Sequence, residues 1–342
     1  MRWRAITAAL LTGGLLVPAS AATADDSRPF VFRSANITES SGLVDLGGLV
    51  VTTNDSGNRS LLFTVSPVSG KTVGVTDFHS STQDVEALAP GGRGRVWVGD
   101  IGDNEGKRTS ISVMRVRVGF GRIDARPTVY RLAYPRGTHD AESLVRNRAG
   151  RLYVITKSVK GGTVYRAPLN LSSRRVNRLQ RAGRVIEFAT DAAMMPSGRH
   201  VIVRGPGRAS VYTFPAFERV GSFVLPRQRQ GEGLSVGPGR RIRLSSEGVR
   251  SPVLQVTVPA GLARRMQPPT PAPSPSAFPS PPSPSTTPSP SASPTPAAAA
   301  SRPAENLKLQ ADGPDPWLIW SIPAVIVLGA VAIGLGLRRR SE

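Results

Sequence analysis

Short apolar runs rich in Val, Ile, Leu, Tyr and Phe alternate with turn-forming residues along positions 29–258. Runs of this kind, bounded by Gly, Asn, Asp or Ser, predict β-strands joined by tight hairpins. The runs recur in units, and a second, third and fourth strand can be aligned between units. The predicted second strands are Leu49–Thr53, Val96–Val98, Leu152–Thr156, Val201–Val203 and Ile242–Leu244. The third strands are Leu61–Val65, Ile111–Val118, Thr163–Arg166, Ser210–Phe214 and Pro252–Val258, and the fourth are Thr72–Phe78, Thr128–Tyr134, Arg184–Phe188 and Arg219–Leu225.

An acidic phrase of the form acid–x–acid–x–Leu opens each unit. The clear copies are Asp84–Leu88 and Asp140–Leu144, and the weaker ones are Glu39–Leu43, Asp191–Met195 and Gln230–Leu234. The apolar residue that ends the phrase falls at 43, 88, 144, 195 and 234, so successive copies are 45, 56, 51 and 39 residues apart. A period of roughly 40–50 residues is typical of a four-stranded β-propeller blade. The sequence therefore predicts an all-β fold, a β-propeller of five blades; a sixth blade would require a further unit.

The ends of the repeat predict how the ring closes. No fourth strand follows the fifth unit, whereas an extra strand, Pro29–Ser34, precedes the first acidic phrase. We expect this N-terminal strand to complete the last blade. Because a propeller gathers equivalent positions of all blades round a central channel, the repeated acids are expected to meet in space.

Both ends of the chain have the composition of targeting and anchoring segments. Residues 1–24 resemble a secretory signal peptide, with a basic start, a short apolar core and a small-residue cleavage site. Residues 317–337 carry no charge and are long enough to span a bilayer, and the arginines that begin 338–342 are typical of a cytoplasmic tail. The Pro-, Ser-, Thr- and Ala-rich residues 267–316 predict a disordered stalk in polyproline II conformation. We therefore predict that 25–266 form a propeller on the extracellular, cell-wall side of a single-pass type I membrane anchor.

The composition excludes several kinds of active site. The chain has no cysteine, so thiol nucleophiles, cysteine-bound zinc and iron–sulfur clusters are excluded. The histidines, His79, His139 and His200, are not spaced as a zinc-protease pair, and the G-x-S-x-G, Walker and Rossmann motifs are missing. No haem or nucleotide cofactor is expected. Metal chemistry with oxygen ligands and non-covalent binding remain open.

The predicted propeller is strongly basic. Between 25 and 266 there are 37 Lys and Arg residues against 19 Asp and Glu, a net charge of +18. The densest runs are Arg174–Arg184 and Arg240–Arg243. Two interpretations are open: a solvated arginine-rich surface, or a surface that attracts an anionic partner such as a cell-wall polymer, a phospholipid headgroup or a phosphorylated ligand. An extracellular protein is a further possible partner, whereas nucleic acid is not expected for an exported domain.

Against this basic background the acids fall at equivalent positions of the blades. The candidates for ligand binding lie at or near the entry of the innermost strand: Asp84, Glu86, His139, Asp140, Glu142, Lys157, Asp191 and Glu232. The candidates for metal binding follow the second strand: Asp55, Asp100, Asp103, Asn104 and Glu247. We expect the two sets to lie on opposite faces of the propeller.

Two interpretations of these acids are open. In the first, they hold Ca²⁺, which prefers roughly six to eight oxygen ligands, and the ion polarises an ester or phosphoryl oxygen and activates water. The turn Gly99–Asn104 is the best single candidate for such a metal loop. In the second, the acids bond backbone N–H groups and arginine side chains, and so hold neighbouring blades together.

The order of these motifs is similar to that of a known family. The segments that carry the resemblance are Asn54–Gly57, Asp84–Leu88, Gly99–Asn104, His139–Leu144, Thr190–Ala193, Gln230–Gly233 and Ser245–Gly248. Over residues 30–258 the chain resembles secreted actinobacterial β-propellers, loosely described as WD40-like, NHL-like or phytase/esterase-like. The resemblance implies the fold but no particular reaction. The chain departs from it at Val85, where an aromatic residue is expected, and it lacks the Gly-His and Trp-Asp pairs of true WD40 repeats.

Two functions of different classes follow from these observations. The predicted function is that of a membrane-anchored, extracellular ligand- or protein-binding module, because the sequence has no nucleophile constellation. The alternative is a Ca²⁺-dependent phosphoesterase or lactonase that uses the channel carboxylates, with Lys157, Arg204 or His139 binding the substrate's charge. No residue is assigned a catalytic role from the sequence.

Overall fold

The structure, a computed structural model, describes residues 29–55, 57 and 59–268. These residues form twenty-two β-strands, a short 3₁₀ helix, an α-helix and the loops that connect them. The strands are β1 (Phe30–Val31), β2 (Ser40–Asp45), β3 (Val50–Asn54), β4 (Leu61–Val65), β5 (Thr72–Asp77), β6 (Val85–Pro90), β7 (Arg95–Asp100), β8 (Ile111–Arg117), β9 (Gly121–Asp124), β10 (Val129–Ala133), β11 (Ala141–Arg146), β12 (Leu152–Thr156), β13 (Thr163–Arg166), β14 (Asn177–Arg178), β15 (Gln180–Arg184), β16 (Asp191–Met194), β17 (His200–Arg204), β18 (Arg208–Thr213), β19 (Arg219–Val224), β20 (Gly231–Val236), β21 (Ile242–Ser246) and β22 (Pro252–Val256). The helices are the 3₁₀ turn Pro238–Arg240 and α1 (Ala260–Arg265).

The strands form five sheets, one for each predicted unit. In chain order these blades are β2-β3-β4-β5-β9, β6-β7-β8-β10-β14, β11-β12-β13-β15, β16-β17-β18-β19 and β20-β21-β22-β1. Their first strands, β2, β6, β11, β16 and β20, contact one another in a closed ring around the central channel. The prediction of an all-β, five-bladed propeller is confirmed.

Apolar side chains pack between each pair of adjacent blades. Five buried clusters fill these interfaces, and each draws its residues from two neighbouring sheets. Between blades two and three, for example, Ile111 and Leu132 pack with Leu144 and Val154, all 1% exposed or less. The core is thus divided among the blade interfaces, which leaves the channel mouth for polar groups.

One predicted strand is misplaced. The fourth strand of blade three was expected at Arg184–Phe188, but β15 covers Gln180–Arg184 and ends where Arg184 pairs with Thr163. The apolar residues that suggested a strand, Val185 to Phe188, follow it instead, and the N–H of Val185 bonds the carbonyl of Gly162. Composition alone could not distinguish a strand from an apolar loop that is held by backbone hydrogen bonds, because both contain the same residue types.

Two strands that the sequence pattern does not predict cover the outer edges of blades one and two. β9 comes from the connection between β8 and β10 and pairs in parallel with β5 of blade one. β14 comes from blade three and pairs in parallel with β10 of blade two. Each extra strand covers an exposed sheet edge, which would otherwise be open to pairing with another chain.

The predicted closure by the N-terminal strand is confirmed, although the strand is shorter than expected. β1 pairs antiparallel with β22 through Phe30 and Val253 and completes blade five. The N–H of Phe32 then bonds the carbonyl of Ser251, and its fully buried ring packs against blade one. Residues near the two ends of the propeller thus interlock.

A buried ion pair joins blade five to blade one beside this closure. Nε of Arg243, on β21, lies 2.9 Å from Oδ2 of Asp45, at the end of β2, and both side chains are 1% exposed or less. The Asp45 carboxylate also accepts a hydrogen bond from the N–H of Gly47 at 2.8 Å. The guanidinium lies 5.7 Å from the centroid of the Phe30 ring, so it also contacts the closing strand.

We expect Arg243→Met to lower the free energy of unfolding by about 3–5 kcal/mol, because it leaves the Asp45 carboxylate buried without its main counter-charge. Chemical denaturation of the full chain measures the change. Arg227→Met is the matched control, since Arg227 is exposed and makes no ion pair within the described residues. Equal stability of the two variants would show that the pair does not hold the ring closed.

The predicted membrane segments are not covered by the structure. The signal peptide (1–24), the transmembrane segment (317–337) and the tail (338–342) lie outside the described residues, as does all but the start of the stalk (267–316). Among the described residues, no helix has both the length and the apolar character needed to cross a membrane.

Candidate metal centre at the channel mouth

The two sets of acids lie at the same mouth of the channel, so the prediction that they occupy opposite faces is wrong. The first and second strands of each blade are antiparallel, and the start of the first therefore pairs with the end of the second. Val85 pairs with Asp100, and Gly231 pairs with Ser246, directly before Glu247. The turn after the second strand is thus beside the entry of the innermost strand, and the acids of both sets gather there.

β-bulges direct three glutamates towards the channel. The pairing of the innermost strand with its neighbour shifts register between Val85 and Ala87, between Ala141 and Ser143, and between Gly231 and Leu234. Glu86, Glu142 and Glu232 occupy these irregular positions. A bulge reorients the side chain of the inserted residue, which explains why equivalent glutamates of three blades face one another.

Blades one and four depart from this pattern. Blade one has Ser41 at the bulge, and its hydroxyl donates to Glu86, 2.8 Å from the carbonyl oxygen and 3.0 Å from Oε2. Blade four has no bulge: Asp191 pairs directly with Arg204. The Asp191 carboxylate is fully buried and accepts hydrogen bonds from the N–H groups of Leu234 at 2.6 Å and Ala192 at 2.8 Å. Asp191 therefore joins blades four and five, as the structural interpretation predicted.

The residue that ends the acidic phrase lies beneath the acids. Leu43, Leu88, Leu144 and Leu234 line one cavity along the channel. In blade four the residue that ends the acidic phrase is Met195, but Met194 lines the cavity instead. The reason is that blade four has no bulge, so its register is shifted by one residue. These leucines are 1–2% exposed and form an apolar floor next to the carboxylates on the same strands.

Three carboxylates form a candidate metal site. Oxygen atoms of Asp55, Asp84 and Glu86 lie within 4.8 Å of one another. Asp55 follows β3, and the other two flank the start of β6. A set that consists only of carboxylate oxygens suits a hard cation such as Ca²⁺. The structure brings together residues from both predicted sets, so neither set alone describes the site.

Gly102 leaves the space that the site requires. A Cβ atom at this position would lie 2.3 Å from Oδ2 of Asp84 and 2.8 Å from Cγ of Glu86. Real side chains do not approach so closely, so a larger residue would displace both carboxylates. This glycine was not singled out from the sequence, since its role depends on contact with another segment.

We expect Gly102→Ala to weaken Ca²⁺ binding at least about tenfold, because the added methyl group separates two of the three carboxylates. Calorimetric titration of the protein with Ca²⁺ measures the affinity. Gly207→Ala is the control, since a Cβ there would meet no atom within 4 Å. An affinity equal to that of the control would mean that Asp84 and Glu86 do not share a cation.

The electrostatics of the mouth favour a bound cation. Burial, followed by the charges of Glu142, Asp55 and Asp84, raises the pKa of Glu86 to about 10, although a hydrogen bond from Ser41 acts to lower it. Glu86 is 4% exposed. A carboxyl group in such surroundings holds its proton unless another positive charge replaces it. A divalent cation between the carboxylates would supply that charge.

Glu142 and Lys157 form a close pair at the same mouth. Nζ of Lys157 contacts Oε1 of Glu142. Burial raises the pKa of Glu142 to about 9, although the Lys157 charge acts to lower it. Burial would lower the pKa of Lys157, but the contact with Glu142 and the nearby charge of Glu232 outweigh it and raise the pKa. The ammonium group therefore keeps its charge, and the Lys157 side chain is 21% exposed.

Two further glutamates complete the mouth. The pKa of Glu232 is raised by burial and lowered in part by Lys157 and Arg204, and its carboxyl shares a hydrogen bond with Glu142. The pKa of Glu247 is raised to about 7 by burial and by the charges of Glu232, Asp55 and Glu39. The acids of the mouth, Asp55, Asp84, Glu86, Glu142, Glu232 and Glu247, thus outnumber the cations Lys157 and Arg204.

The predicted metal loop Gly99–Asn104 supports the site rather than forming it. Asp100 accepts hydrogen bonds from Asp84 N–H at 2.9 Å and Ser112 Oγ at 3.0 Å, and it pairs with Arg108 at 3.0 Å. The Asp103 carboxylate accepts from the N–H groups of Lys107 and Arg108 within its own turn. Asn104 is exposed. The carboxylate oxygens of Asp100 and Asp103 thus accept hydrogen bonds from the protein itself, and Asp100 positions the backbone of Asp84.

The remaining candidates make contacts between neighbouring blades. Asp140 accepts a hydrogen bond from Asp103 N–H at 2.9 Å and so connects blades two and three. Nε2 of His139 lies 3.0 Å from the Tyr165 hydroxyl, and its ring packs edge-on against Tyr134. Arg204 is 1% exposed, and burial lowers its pKa to about 10. Its Nη1 donates to the carbonyl groups of Gly233 at 2.6 Å and Ser245 at 2.9 Å, which makes it a link between blades four and five rather than a binder of substrate charge.

Comparison with known proteins adds distant structural similarities only. No family model matches the sequence, and a comparison with curated proteins gives no match. Similar solved structures include a gluconolactonase from Xanthomonas campestris, with 12% identity over 62% of this chain and 70% of that chain and a TM-score of 0.39. A virginiamycin B lyase from Staphylococcus aureus has 11% identity over 71% of this chain and 74% of its own, with a TM-score of 0.36. A PQQ-bound aldose sugar dehydrogenase from Streptomyces coelicolor has 8% identity over 67% of this chain and 98% of its own, with a TM-score of 0.41. Function is therefore inferred from the residues of the channel mouth.

Proposed function

We propose that the channel mouth is the active site of a Ca²⁺-dependent hydrolase that acts on a lactone, an ester or a phosphoester. The observation that carries the proposal is the cluster of Asp55, Asp84 and Glu86, whose oxygens lie within 4.8 Å of one another. Such a cluster, backed by an apolar floor, attracts a cation more strongly than it would in water, because the local dielectric is low. Backbone carbonyls and water would supply the remaining oxygen ligands that Ca²⁺ prefers.

The other groups of the mouth have roles that fit hydrolysis. A bound Ca²⁺ would act as a Lewis acid towards a carbonyl or phosphoryl oxygen of the substrate. The partly exposed Lys157 ammonium would bind a second substrate oxygen that carries negative charge. Glu142, in contact with Lys157, would lose its proton once the charge of a bound Ca²⁺ lowers its pKa, and it would then accept a proton from the attacking water and deliver it to the oxygen of the departing group.

A combined titration and substrate screen tests the proposal. The full chain is freed of metal with a chelator, and its thermal unfolding is followed as Ca²⁺ is added. Hydrolysis of lactones, p-nitrophenyl esters and p-nitrophenyl phosphate is measured in parallel. We expect Ca²⁺ to raise the melting temperature and to be required for hydrolysis of at least one substrate class. A protein that melts identically with Ca²⁺ and with chelator, and hydrolyses nothing, would refute the proposal.

A second candidate, non-catalytic binding of an anionic polymer, is favoured by the outer surfaces of blades three and four. The exposed arginines there are Arg166, Arg174, Arg175, Arg178, Arg181, Arg184, Arg199, Arg208 and Arg219. None of them lies within 4 Å of a carboxylate of the described residues, whereas several bond neutral groups, such as Arg208 with Ser222. Binding of polyphosphate that weakens steeply with salt, and that Arg181→Glu with Arg184→Glu reduces, would support this function. Salt-independent binding would contradict it.

We also propose that the propeller acts on the outer side of a membrane. The proposal is supported by the composition of 1–24, 267–316 and 317–337, which is that of a signal peptide, a stalk and a transmembrane helix. Protease treatment of intact cells should then remove the propeller and leave the C-terminal segment in the membrane. Full protection from the protease would contradict it.

A further inference from the structure

An apolar rim borders the acidic mouth on the side of blade three. Its residues are Val159, Ile186 and Phe188, which are 79%, 66% and 37% exposed. Large apolar side chains are usually buried, and the neighbouring ones of blade three are: Val185 is 2% exposed and Ile155 is 0% exposed. Leu169 and Val176, between β13 and β15, are exposed as well, at 48% and 39%, but Val159, Ile186 and Phe188 are the exposed apolar side chains beside the mouth.

The rim is held rigidly. Val185 N–H bonds the Gly162 carbonyl at 2.9 Å, and Gly162 N–H bonds the Glu187 carbonyl at 3.2 Å. The Tyr212 hydroxyl of blade four accepts from Ile186 N–H at 2.9 Å and donates to Glu187 Oε2 at 2.5 Å. Because its backbone is fixed on both sides, the segment cannot turn its apolar side chains inward.

Gly161 allows the turn that carries Val159 to pack against this segment. Gly161 has a φ of +86°, and a Cβ atom there would lie 2.4 Å from the carbonyl oxygen of Val185. The two apolar parts of the rim, Val159 on the turn and Ile186 on the segment, are therefore held side by side.

The rim is continuous with the candidate active site. Nζ of Lys157 lies 5.3 Å from the centroid of the Phe188 ring and contacts Glu142. A molecule whose charged or carbonyl end reaches Lys157 must therefore pass next to Phe188. Ile186 and Val159 extend this apolar surface, and the exposed Lys160 and Arg184 lie at its border, where Nη2 of Arg184 donates to the Lys160 carbonyl at 3.1 Å.

We infer that the substrate is amphiphilic: an ester or lactone whose reacting group lies at the acidic mouth and whose hydrocarbon chain lies across Phe188, Ile186 and Val159. This inference rests on the proposed function and names its substrate class. The occupant is an acyl or alkyl chain, because the rim offers apolar surface and leaves polar recognition to the adjoining mouth. Each methylene group covered by the rim should improve binding by about two- to fourfold, until the chain extends past it.

Two homologous series test the inference on the Ca²⁺-loaded full chain. One is p-nitrophenyl esters from acetate to octanoate, followed by kcat/KM, and the other is alkylphosphonates from methyl to octyl, followed by calorimetric Kd. We expect kcat/KM and affinity to rise with chain length. The double variant Val159→Ser, Ile186→Ser should flatten both slopes. The control Val224→Ser, at a side chain that is 71% exposed on the outer strand β19, should keep them.

The outcomes separate this inference from the proposed function. Hydrolysis with no dependence on chain length, or with a slope that the double variant keeps, would overturn the inference and leave the hydrolase. Phosphonate affinity that rises with chain length without any hydrolysis would support the apolar subsite and overturn the hydrolase. Binding of the full chain to phosphatidylcholine vesicles is measured alongside. Vesicle binding that the double variant loses, with chain-length slopes that it keeps, would show that the rim contacts lipid surfaces instead, and would also overturn the inference.

Discussion

Glu86→Gln is expected to weaken Ca²⁺ binding by at least about 100-fold, or roughly 3 kcal/mol, and to reduce hydrolysis to background. The amide keeps the size of the side chain and can still accept a hydrogen bond from Ser41, but it cannot supply charge to a cation. Calorimetric titration measures the affinity, and the substrate screen measures the activity. Glu86 is the buried one of the three carboxylates, whereas Asp55 and Asp84 are half-buried.

The same variant should be more stable than the wild type in the presence of chelator. Burial and the neighbouring acids make a charged Glu86 unfavourable in the folded state, and the neutral amide removes this effect. A gain of about 1 kcal/mol would appear as a rise of roughly 2–4 °C in melting temperature. Glu105→Gln is the control, since the Glu105 side chain is 75% exposed and, within the described residues, forms an ion pair only with Lys107. A Glu86→Gln protein that is less stable than this control would instead assign Glu86 to holding blades together.

The stability of the metal-free protein should fall as the pH rises from about 4.5 to about 9. Burial and neighbouring carboxylates raise the pKa of Glu86 to about 10, of Glu142 to about 9 and of Glu247 to about 7, each from a value of 4.5. Between the unfolded and folded pKa values the folded chain binds more protons than the unfolded chain. The free energy of unfolding then decreases with pH, by up to about 1.4 kcal/mol per pH unit for each extra proton.

Calcium should reverse this trend. Its ligands must be deprotonated, so Ca²⁺ affinity should increase with pH over the same range. The difference in melting temperature between Ca²⁺ and chelator should therefore grow from pH 5 to pH 9. Melting curves at several pH values measure it, and Glu86→Gln should lose most of the difference. A stabilisation by Ca²⁺ that is equal at all pH values would mean that the ion binds away from these carboxylates.

Much of the candidate site could be predicted from sequence, because the repeat aligns equivalent positions. Glu86, Glu142 and Glu232 were identified by their place in the acidic phrase, and Lys157 by its charge. The grouping of the acids was wrong, however, because it ignored that the first two strands of a blade run in opposite directions. Asp55 and Glu247 therefore belong with Glu86, and not with a separate loop.

Other residues could not be assigned without their contacts. Asp100 and Asp103 have the spacing of a metal loop, yet their oxygens accept hydrogen bonds from the protein itself. Asp191 has the position of a channel acid, but the missing bulge directs it into the interface between blades four and five. Gly102 lies in the predicted metal loop but had no role assigned there, and Phe188 belongs to no motif; their roles follow from neighbours that are distant in the chain or on another strand.

The sequence by itself determined the number of blades, the order of the four main strands in each and the closure by an N-terminal strand. These follow from local properties, since the alternation of apolar runs with turns, and its period, is written along the chain. Only the tertiary structure decided which acids lie close together and which accept hydrogen bonds from backbone N–H groups. It also decided which apolar side chains stay exposed beside the acids. These depend on strand register, on β-bulges and on contacts between blades, and a shift of one residue reverses the direction of a side chain. The acidic phrase thus predicted that a site exists, and the pairing of the strands determined its composition.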